Sequence, residues 1–467
     1  MKGAYQRMSS SPNAQLTPEA AGSGSTASDV GKEHKRRAVG SGLWNVLHAG
    51  GTTGLNTLFG VLLIIGLPPS EVGIYNYAGG VVALGAAMMT TGFDSFVVRR
   101  ILQDEQKAPQ VLASALVLRE ALAAFALMMA IGLVLTSGSL TVAMAAVVMT
   151  SALFLRALET PSLWFLAHLR SRTPTIVVVS ASAVLFCVKV ISLFTFGELW
   201  ILIALFVLEA GVCGVSICLT YRRVSGLPFF VSPSWADIRH MLKEAWPLMV
   251  AGGADQFASK VGMFFLQAVH GSAYVAVYSA AVRFTELAAM LPVVFMTSTL
   301  PLLVKFSQGD SGVYQRYLQK SYDRAFWLGV LAGLLLWVAG SIVITVIFGD
   351  DYRESITVLA ITSCGAPFLF MGAIYTKWTV TEGHYRVLLT RYFCGAVAAT
   401  TVAFLVVDRW GPVGAGVAWL SAIVVGTYLS TLVDRRSWKA AGQMSKAFVW
   451  PIRVTIAFLR DRLSKQG

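Results

Sequence analysis

The chain has 467 residues, 56% of them hydrophobic and only 13% charged, with a mean hydropathy of +0.66. A soluble domain carries about 25% charged residues, so a water-soluble globule is excluded. The formal charge of +13 would suit nucleic acid, but Lys and Arg concentrate in the tails and in every second gap between apolar stretches. This is the positive-inside pattern, and no nucleic-acid partner is expected.

Residues 1–40 are rich in Ser, Gly, Ala and Pro and end in Lys32, Lys35, Arg36 and Arg37. They lack the hydrophobicity to fold and have no early apolar core of a signal peptide, so a disordered basic cytoplasmic tail is expected. Apolar stretches long enough to cross a bilayer core of roughly 30 Å then recur. Spans are predicted near 41–66, 72–96, 111–136, 140–163, 174–196, 199–221, 244–269, 274–304, 324–348, 354–380, 386–407 and 412–433. The fold class is therefore an all-α polytopic membrane protein of about twelve transmembrane helices. It divides into a six-helix lobe over 41–223, a cytoplasmic linker over 224–243, a second lobe over 244–436 and a tail over 437–467.

Alternate gaps hold Arg99, Arg100 and Lys107; Arg170 and Arg172; Arg222, Arg223, Arg239 and Lys243; Lys305, Arg316, Lys320 and Arg324; and Arg386. The opposite loops hold little beyond Arg353 and Arg409, which puts both termini in the cytoplasm. In the C-terminal tail Lys439, Lys446, Arg453 and Arg460 recur every seven positions. A basic amphipathic stretch on the anionic leaflet is expected there, with a docking site for a biosynthetic partner as the alternative. The five cysteines all fall in apolar stretches without metal-ligand spacing and read as small buried hydrophobes.

The halves resemble each other. Trp44 with Ala49-Gly50-Gly51 matches Trp246 with Ala251-Gly252-Gly253, Gly60 matches Gly262, and Val72-Gly73-Ile74-Tyr75 matches Val275-Ala276-Val277-Tyr278. Six spans per repeat is an even number, so the lobes share one orientation and form a parallel pseudo-repeat with a cleft between them. Gly50, Gly51, Gly252 and Gly253 fall at equivalent places in the first and seventh spans, the latter after Pro247. They are expected as bends that gate the cleft, with close packing of small residues as the alternative reading.

The run Gly66-Leu67-Pro68-Pro69-Ser70-Glu71-Val72-Gly73-Ile74-Tyr75 resembles the first-loop signature of polysaccharide-type flippases. Gly92-Phe93-Asp94-Ser95 before Arg99-Arg100, Ala276-Val277-Tyr278-Ser279-Ala280-Ala281 and Pro301-Leu302-Leu303 resemble the family elsewhere. On these residues the chain is similar to the Wzx-like branch of the multidrug/oligosaccharidyl-lipid/polysaccharide (MOP) exporter superfamily. The resemblance implies two six-helix bundles around a central cavity lined by the first, second, seventh and eighth spans. It also implies movement of an undecaprenyl-diphosphate-linked oligosaccharide from the cytoplasmic to the periplasmic leaflet of a bacterial inner membrane.

Charges at membrane depth are costly and mark functional candidates. The spans hold Arg119, Glu120, Arg156, Glu159, Lys189, Glu209, Asp255, Lys260, Arg283, Glu286, Lys377 and Arg391. Arg156 with Glu159 and Arg283 with Glu286 are three apart and able to pair within a helix. Lys189 and Glu209 are expected to neutralise each other, and Arg391 to snorkel from a cytoplasmic end. The resemblance selects Lys260 and Arg283 as phosphate-binding cations. It adds Asn45, His48, Asn56, Tyr75, Asn76, Gln256 and Tyr278 as substrate-binding groups.

Asp255, with Glu286, is the candidate for coupling transport to H⁺ or Na⁺; a salt bridge is the alternative for Asp255. No other cofactor and no metal is expected. Expected partners are the lipid-linked oligosaccharide, membrane lipids, and a polysaccharide polymerase with its assembly proteins. Three rivals stay open: an ion-coupled drug/cation antiporter of the same superfamily, a membrane polymerase or glycosyltransferase, and a scaffold of envelope assembly. The acid-rich outer loop Gly349-Asp350-Asp351-Tyr352-Arg353-Glu354 is too short to hold a glycan. No P-loop, zinc motif or nucleophile elbow is present, so direct ATP use is not expected.

Overall fold

A computed structural model describes residues 27–90, 93–137, 139–229, 231–292, 311–382 and 385–451. The long helices of the first half are α1 (Ala27–Gly66), α2 (Pro69–Thr90), α3 (Phe93–Gln103), α4 (Ala108–Ser137), α5 (Leu140–Ala157), short α6 (Ser162–Ala167), α7 (Arg172–Thr195) and α8 (Leu199–Ser225). The second half has α9 (Trp235–Val269), α10 (Ser272–Ala288), α11 (Ser311–Val343), α12 (Ser355–Ser363), α13 (Ala366–Thr381), α14 (Tyr385–Val424), α15 (Ser430–Val433) and α16 (Trp438–Phe448).

Local chemistry sets the ends. α1 stops just before Leu67-Pro68, and Pro69 opens α2, where its missing N–H is not needed. Gly226, at φ 67°, ends α8 with its N–H on the Arg222 carbonyl. Ser234 caps α9 by accepting the Asp237 N–H.

Nine helices among the described residues are long and apolar enough to cross a membrane. α12 and α13, bent by 41°, make a tenth crossing as one broken span. The 48-residue run Arg386–Val433 crosses twice. Gly411 has φ 50° and ψ −127° and precedes Pro412, and a Cβ on Gly414 would lie 2.8 Å from the Val406 carbonyl oxygen. Eight residues of straight helix rise about 12 Å, so the chain reverses at Gly411. α9, long enough but interrupted by Asp255, Gln256 and Lys260, completes twelve crossings.

The pseudo-repeat extends to irregularities. The fourth span breaks after Ala157 before Pro161, and the tenth breaks at Cys364-Gly365 before Pro367. The turns at 67–68, 196–198, 270–271 and 349–354 fall on one face, and the basic segments fall on the other.

Several boundaries differ from expectation. The helix of α1 begins at Ala27, so residues 27–40 are drawn as an extension of a helix already nucleated by the span, which removes the nucleation cost. Residues 1–26 lie outside the described residues. The linker shrinks to 226–234, because α9 starts at Trp235. The expected span end at 293–304 also lies outside the described residues. Cys187 and Cys364 face outward, whereas Cys213 is buried.

α16 does not lie with its apolar face on lipid. Ala440, Ala441, Met444 and Ala447 are buried against the second lobe, and Phe448 packs on Phe326, Phe368 and Tyr428. Gln443 Nε2 donates to Gln315 Oε1 at 2.8 Å, and Trp327 Nε1 donates to the Ala447 carbonyl at 3.2 Å. Lys439 and Lys446 remain on the exposed side, and Arg453 and Arg460 lie outside the described residues.

The lobes meet at both faces. On the short-loop face α2 packs along α10 so closely that a Cβ on Gly73 would stand 1.7 Å from the Ser272 carbonyl oxygen. On the basic face the Arg100 guanidinium of α3 pairs with Asp237 of α9 at 3.2 Å, and Phe96 packs on His240. α9 belongs to both lobes. Its Met241, Ala245 and Met249 complete a first-lobe core with Phe93, Val97, Ile101, Trp164 and Tyr221. Its Ala258 and Val261 pack with Ala399 and Ala422 of the second lobe.

Candidate functional site

Two adjoining cavities of about 260 and 280 Å³ lie between and within the lobes, and Lys260, Val282 and Glu286 line both. Polar side chains from α1, α2, α5, α9 and α10 reach the first. Lys260 Nζ lies 2.9 Å from Glu286 Oε1, and Arg283 Nη1 lies 3.7 Å from Glu286 Oε2, so one carboxylate holds two cations. The other arm of Arg283 crosses to the first lobe and donates to Asn76 Oδ1 at 2.5 Å. Gly60 makes room for it, since a Cβ there would sit 2.6 Å from Cζ of Arg283.

Aromatic rings form the wall. Tyr75 packs edge-on to Phe59 at 6.0 Å and to Phe206 at 6.4 Å. The Arg156 guanidinium lies over Phe206 at 5.4 Å. Asn76 Nδ2 and the Tyr278 hydroxyl are buried without a hydrogen-bond partner among the described residues. Three cations, Arg156, Lys260 and Arg283, thus share the first cavity with one carboxylate.

The second cavity is lined by Asp255, Gln256, Ser259, Tyr392, Trp419 and Thr427 around Arg391. Arg391 donates to the Gly372 carbonyl at 2.9 Å, to Thr376 Oγ1 at 2.6 Å and to Thr427 Oγ1 at 3.2 Å, and it lies over the Tyr375 and Tyr392 rings. Asp255 makes no ion pair among the described residues.

Of the residues singled out from sequence, Lys260, Arg283, Glu286, Asn56, Tyr75, Asn76 and Tyr278 converge on the first cavity, and Asp255 and Gln256 on the second. Asn45 and His48 lie nearer the basic end of α1 and line neither cavity. α1 and α9 run as helix through Gly50-Gly51 and Gly252-Gly253. Gly51 there approaches Val179, and Gly253 approaches Met88.

The remaining intramembrane charges sort by geometry. Lys189 pairs with Glu209, as expected from adjacent helices. Arg119 pairs with Asp94 at 2.5 Å and donates to Thr160 Oγ1 at 3.2 Å.

Two expectations change. Arg156 and Glu159 form no ion pair within 4 Å among the described residues, because α5 ends at Ala157 and the chain continues as tighter turns, although buried Glu159 still lies in the field of the Arg156 guanidinium. Arg391 does not snorkel; its donors are claimed by backbone and hydroxyl oxygens inside the second lobe. Sequence reasoning left both arginines out of the site. The signal for Arg156 was the Glu-Thr-Pro at 159–161, which marks a helix end beside it.

No curated protein matches the chain by sequence. Its fold matches solved structures over most of their length. An inward-closed structure of the lipid II flippase MurJ superposes with a TM-score of 0.68 at 13% identity, covering 89% of this chain and 92% of that one. An inward-facing multidrug resistance MATE family transporter of the MOP superfamily gives 0.64 at 16% identity, covering 85% and 96%. A MOP superfamily transporter from Pyrococcus furiosus, described as having a binding pocket of reversed polarity, gives 0.59 at 16% identity, covering 89% and 96%. At such identities the likeness shows the fold, which is that of MOP transporters. Sequence adds the family: residues 39–307, more than half of the chain, match the model for polysaccharide biosynthesis proteins. A twelve-span helical membrane protein of MOP fold, with a charged cavity between two lobes, therefore belongs to the polysaccharide biosynthesis protein family.

Proposed function

We propose that the protein is a flippase that carries an undecaprenyl-diphosphate-linked oligosaccharide from the cytoplasmic to the periplasmic leaflet of a bacterial inner membrane, for exopolysaccharide, capsule or O-antigen synthesis. The carrying observation is the formal surplus of positive charge in the first cavity, where one carboxylate faces three cations. Uncompensated charge at membrane depth is costly, and an anionic headgroup would compensate it. Guanidinium groups offer phosphate oxygens a planar fork of donors. The MurJ structure is that of a lipid II flippase, and the family match is to polysaccharide biosynthesis.

In this reading the basic face is cytoplasmic. Lys260 and Arg283 hold the diphosphate, and Glu286 occupies their positive charge until substrate arrives. Asp255, which forms no ion pair among the described residues and shares its cavity with Arg391, binds the coupling H⁺ or Na⁺. A polymerase and its assembly proteins receive the product. The antiporter reading draws on that same Asp255 but leaves the cationic surplus without a use. The polymerase reading finds little support in the acid-rich outer turn at 349–354, which is six residues long.

Flipping of a lipid-linked oligosaccharide in proteoliposomes tests this. Wild type should flip, and Lys260→Ala and Arg283→Ala should each slow flipping by roughly tenfold or more, as expected for loss of a charge-assisted bond of about 1.5–3 kcal/mol. If wild type moves no such lipid but exports an organic cation down an ion gradient, the antiporter reading replaces this one.

A further inference from the structure

We propose that the second lobe carries a site for a resident anionic phospholipid: a groove on its outer flank seats one acyl chain, and basic side chains at the groove's mouth hold the headgroup. The site is separate from the transport path, because the groove shares no lining residue with either charged cavity.

The groove follows from the break in the tenth span. α12 ends at Ser363 and α13 opens at Ala366, with a 41° bend between them. α11 packs onto that break through two glycines one turn apart. A Cβ on Gly329 would lie 2.5 Å from Pro367 Cα, and one on Gly333 would lie 2.5 Å from the Ser363 carbonyl oxygen. Backbone therefore meets backbone along the floor. Phe326, Val330, Leu334 and Trp337 of α11 form one wall, and Cys364 and Phe368 of the broken span form the other. The space between is apolar and measures about 500 Å³. It faces outward, with Leu334 and Trp337 half exposed.

Its length matches one leaflet. From Phe326 to Trp337 a helix rises about 16 Å, roughly half of a 30 Å hydrocarbon core. Phe448 of α16 marks the mouth on the basic face. Its ring packs on Phe326 at 4.9 Å and on Phe368 at 6.2 Å, one from each wall.

The mouth is basic. Lys446 lies two residues before Phe448 on α16, Arg324 lies two residues before Phe326 on α11, and both are exposed. Long basic side chains of this kind reach along an apolar surface to a headgroup. Asp323, the carboxylate beside Arg324 in sequence, is buried and accepts a bond from Gln319 Nε2 at 2.8 Å, so it is turned into the lobe. Val449 and Trp450, both exposed, follow Phe448 at the level where tryptophan favours the headgroup boundary. One apolar chain in the groove and one negative charge at its mouth describe an anionic phospholipid. A zwitterionic lipid offers the chain without the net charge, and each basic residue near the membrane surface favours the anionic lipid by about fivefold.

The test places the purified full chain in phosphatidylcholine vesicles with rising fractions of brominated-chain phosphatidylglycerol or brominated-chain phosphatidylcholine. Bromine quenches indole fluorescence on contact, and subtracting the signal of Trp337→Phe isolates Trp337 in the groove wall. Brominated phosphatidylglycerol should reach half-quenching at a mole fraction roughly tenfold lower than brominated phosphatidylcholine. Arg324→Gln combined with Lys446→Gln should bring the two curves together at an unchanged unfolding midpoint. Lys446→Gln alone, with a shift of about fivefold, carries the test if the double variant does not fold. Val330→Phe, which fills the groove, should remove the quenching seen at low phosphatidylglycerol fractions. Coincident curves in wild type, or a preference that survives loss of the cations, would overturn the proposal. So would reversal of the quenching by undecaprenyl monophosphate at lower fractions than by unbrominated phosphatidylglycerol, which would give the groove to a polyprenyl chain instead.

Discussion

Lys189 and Glu209 show how a membrane interior handles charge when no ligand is intended. The ammonium is 4% exposed and the carboxylate 15%, they pair directly, and the Phe59 and Phe206 rings flank the cation. Breaking such a pair from one side leaves a buried charge alone, which costs about 3–5 kcal/mol. Lys189→Met should therefore lower the thermal unfolding midpoint in detergent sharply, and adding Glu209→Leu should restore most of the loss. A single variant as stable as wild type would show that the carboxylate finds water or another cation. Lys260, Arg283 and Glu286 are built differently, with two cations on one carboxylate and Arg283 also committed to Asn76 across the cleft. That arrangement ties one carboxylate to several partners, as the proposed transport site requires.

At the scale of elements the clearest dependence on one residue is the turn between the eleventh and twelfth spans. Gly411 holds φ 50° and ψ −127°, a combination that a residue with a Cβ avoids, and Pro412 prevents the helix from simply continuing. Gly411→Ala should cost about 1–3 kcal/mol, read as a lower unfolding midpoint, whereas Gly442→Ala, with open space around its Cβ, should not. Equal effects would mean that the turn relaxes without strain.

The spans, the pseudo-repeat and the pairing of Lys189 with Glu209 were legible in the chain because hydropathy and helical periodicity are local properties. So was the selection of Lys260 and Arg283 as residues near the cleft, given the family resemblance. Arg156 was left out of the cavity because its spacing from Glu159 offered a partner within the helix, and spacing alone does not show that the side chain also lines the cleft. Arg391 was misassigned because distance from a span end does not reveal which oxygens a side chain will meet. The burial of α16 was hidden too: an amphipathic pattern specifies that one face is apolar, not whether lipid or protein covers it.

For the whole molecule the two lobes touch at both faces while a charged cavity lies between them. Gly73 is the tightest point on the short-loop face, where backbone meets backbone at Ser272. A methyl at that position cannot be accommodated by turning a side chain, so Gly73→Ala should force the lobes apart there. Ala276, buried one turn along α10, supplies the readout. Converted to cysteine in a chain lacking the five native cysteines, it should react faster with a membrane-impermeant thiol reagent when Gly73→Ala is present. An unchanged rate would mean that this contact does not hold the face shut.

The position of α9 across both lobes carries a consequence for how the chain is made. Met241, Ala245 and Met249 fill the first-lobe core beside Phe93, Trp164 and Tyr221, yet they are synthesised after all six spans of that lobe. Until residues 241–249 have been made, the apolar slot they fill in the first lobe has no occupant from this helix. The first lobe is thus finished by the opening residues of the second, and the order of biogenesis makes the two halves one folding problem rather than two.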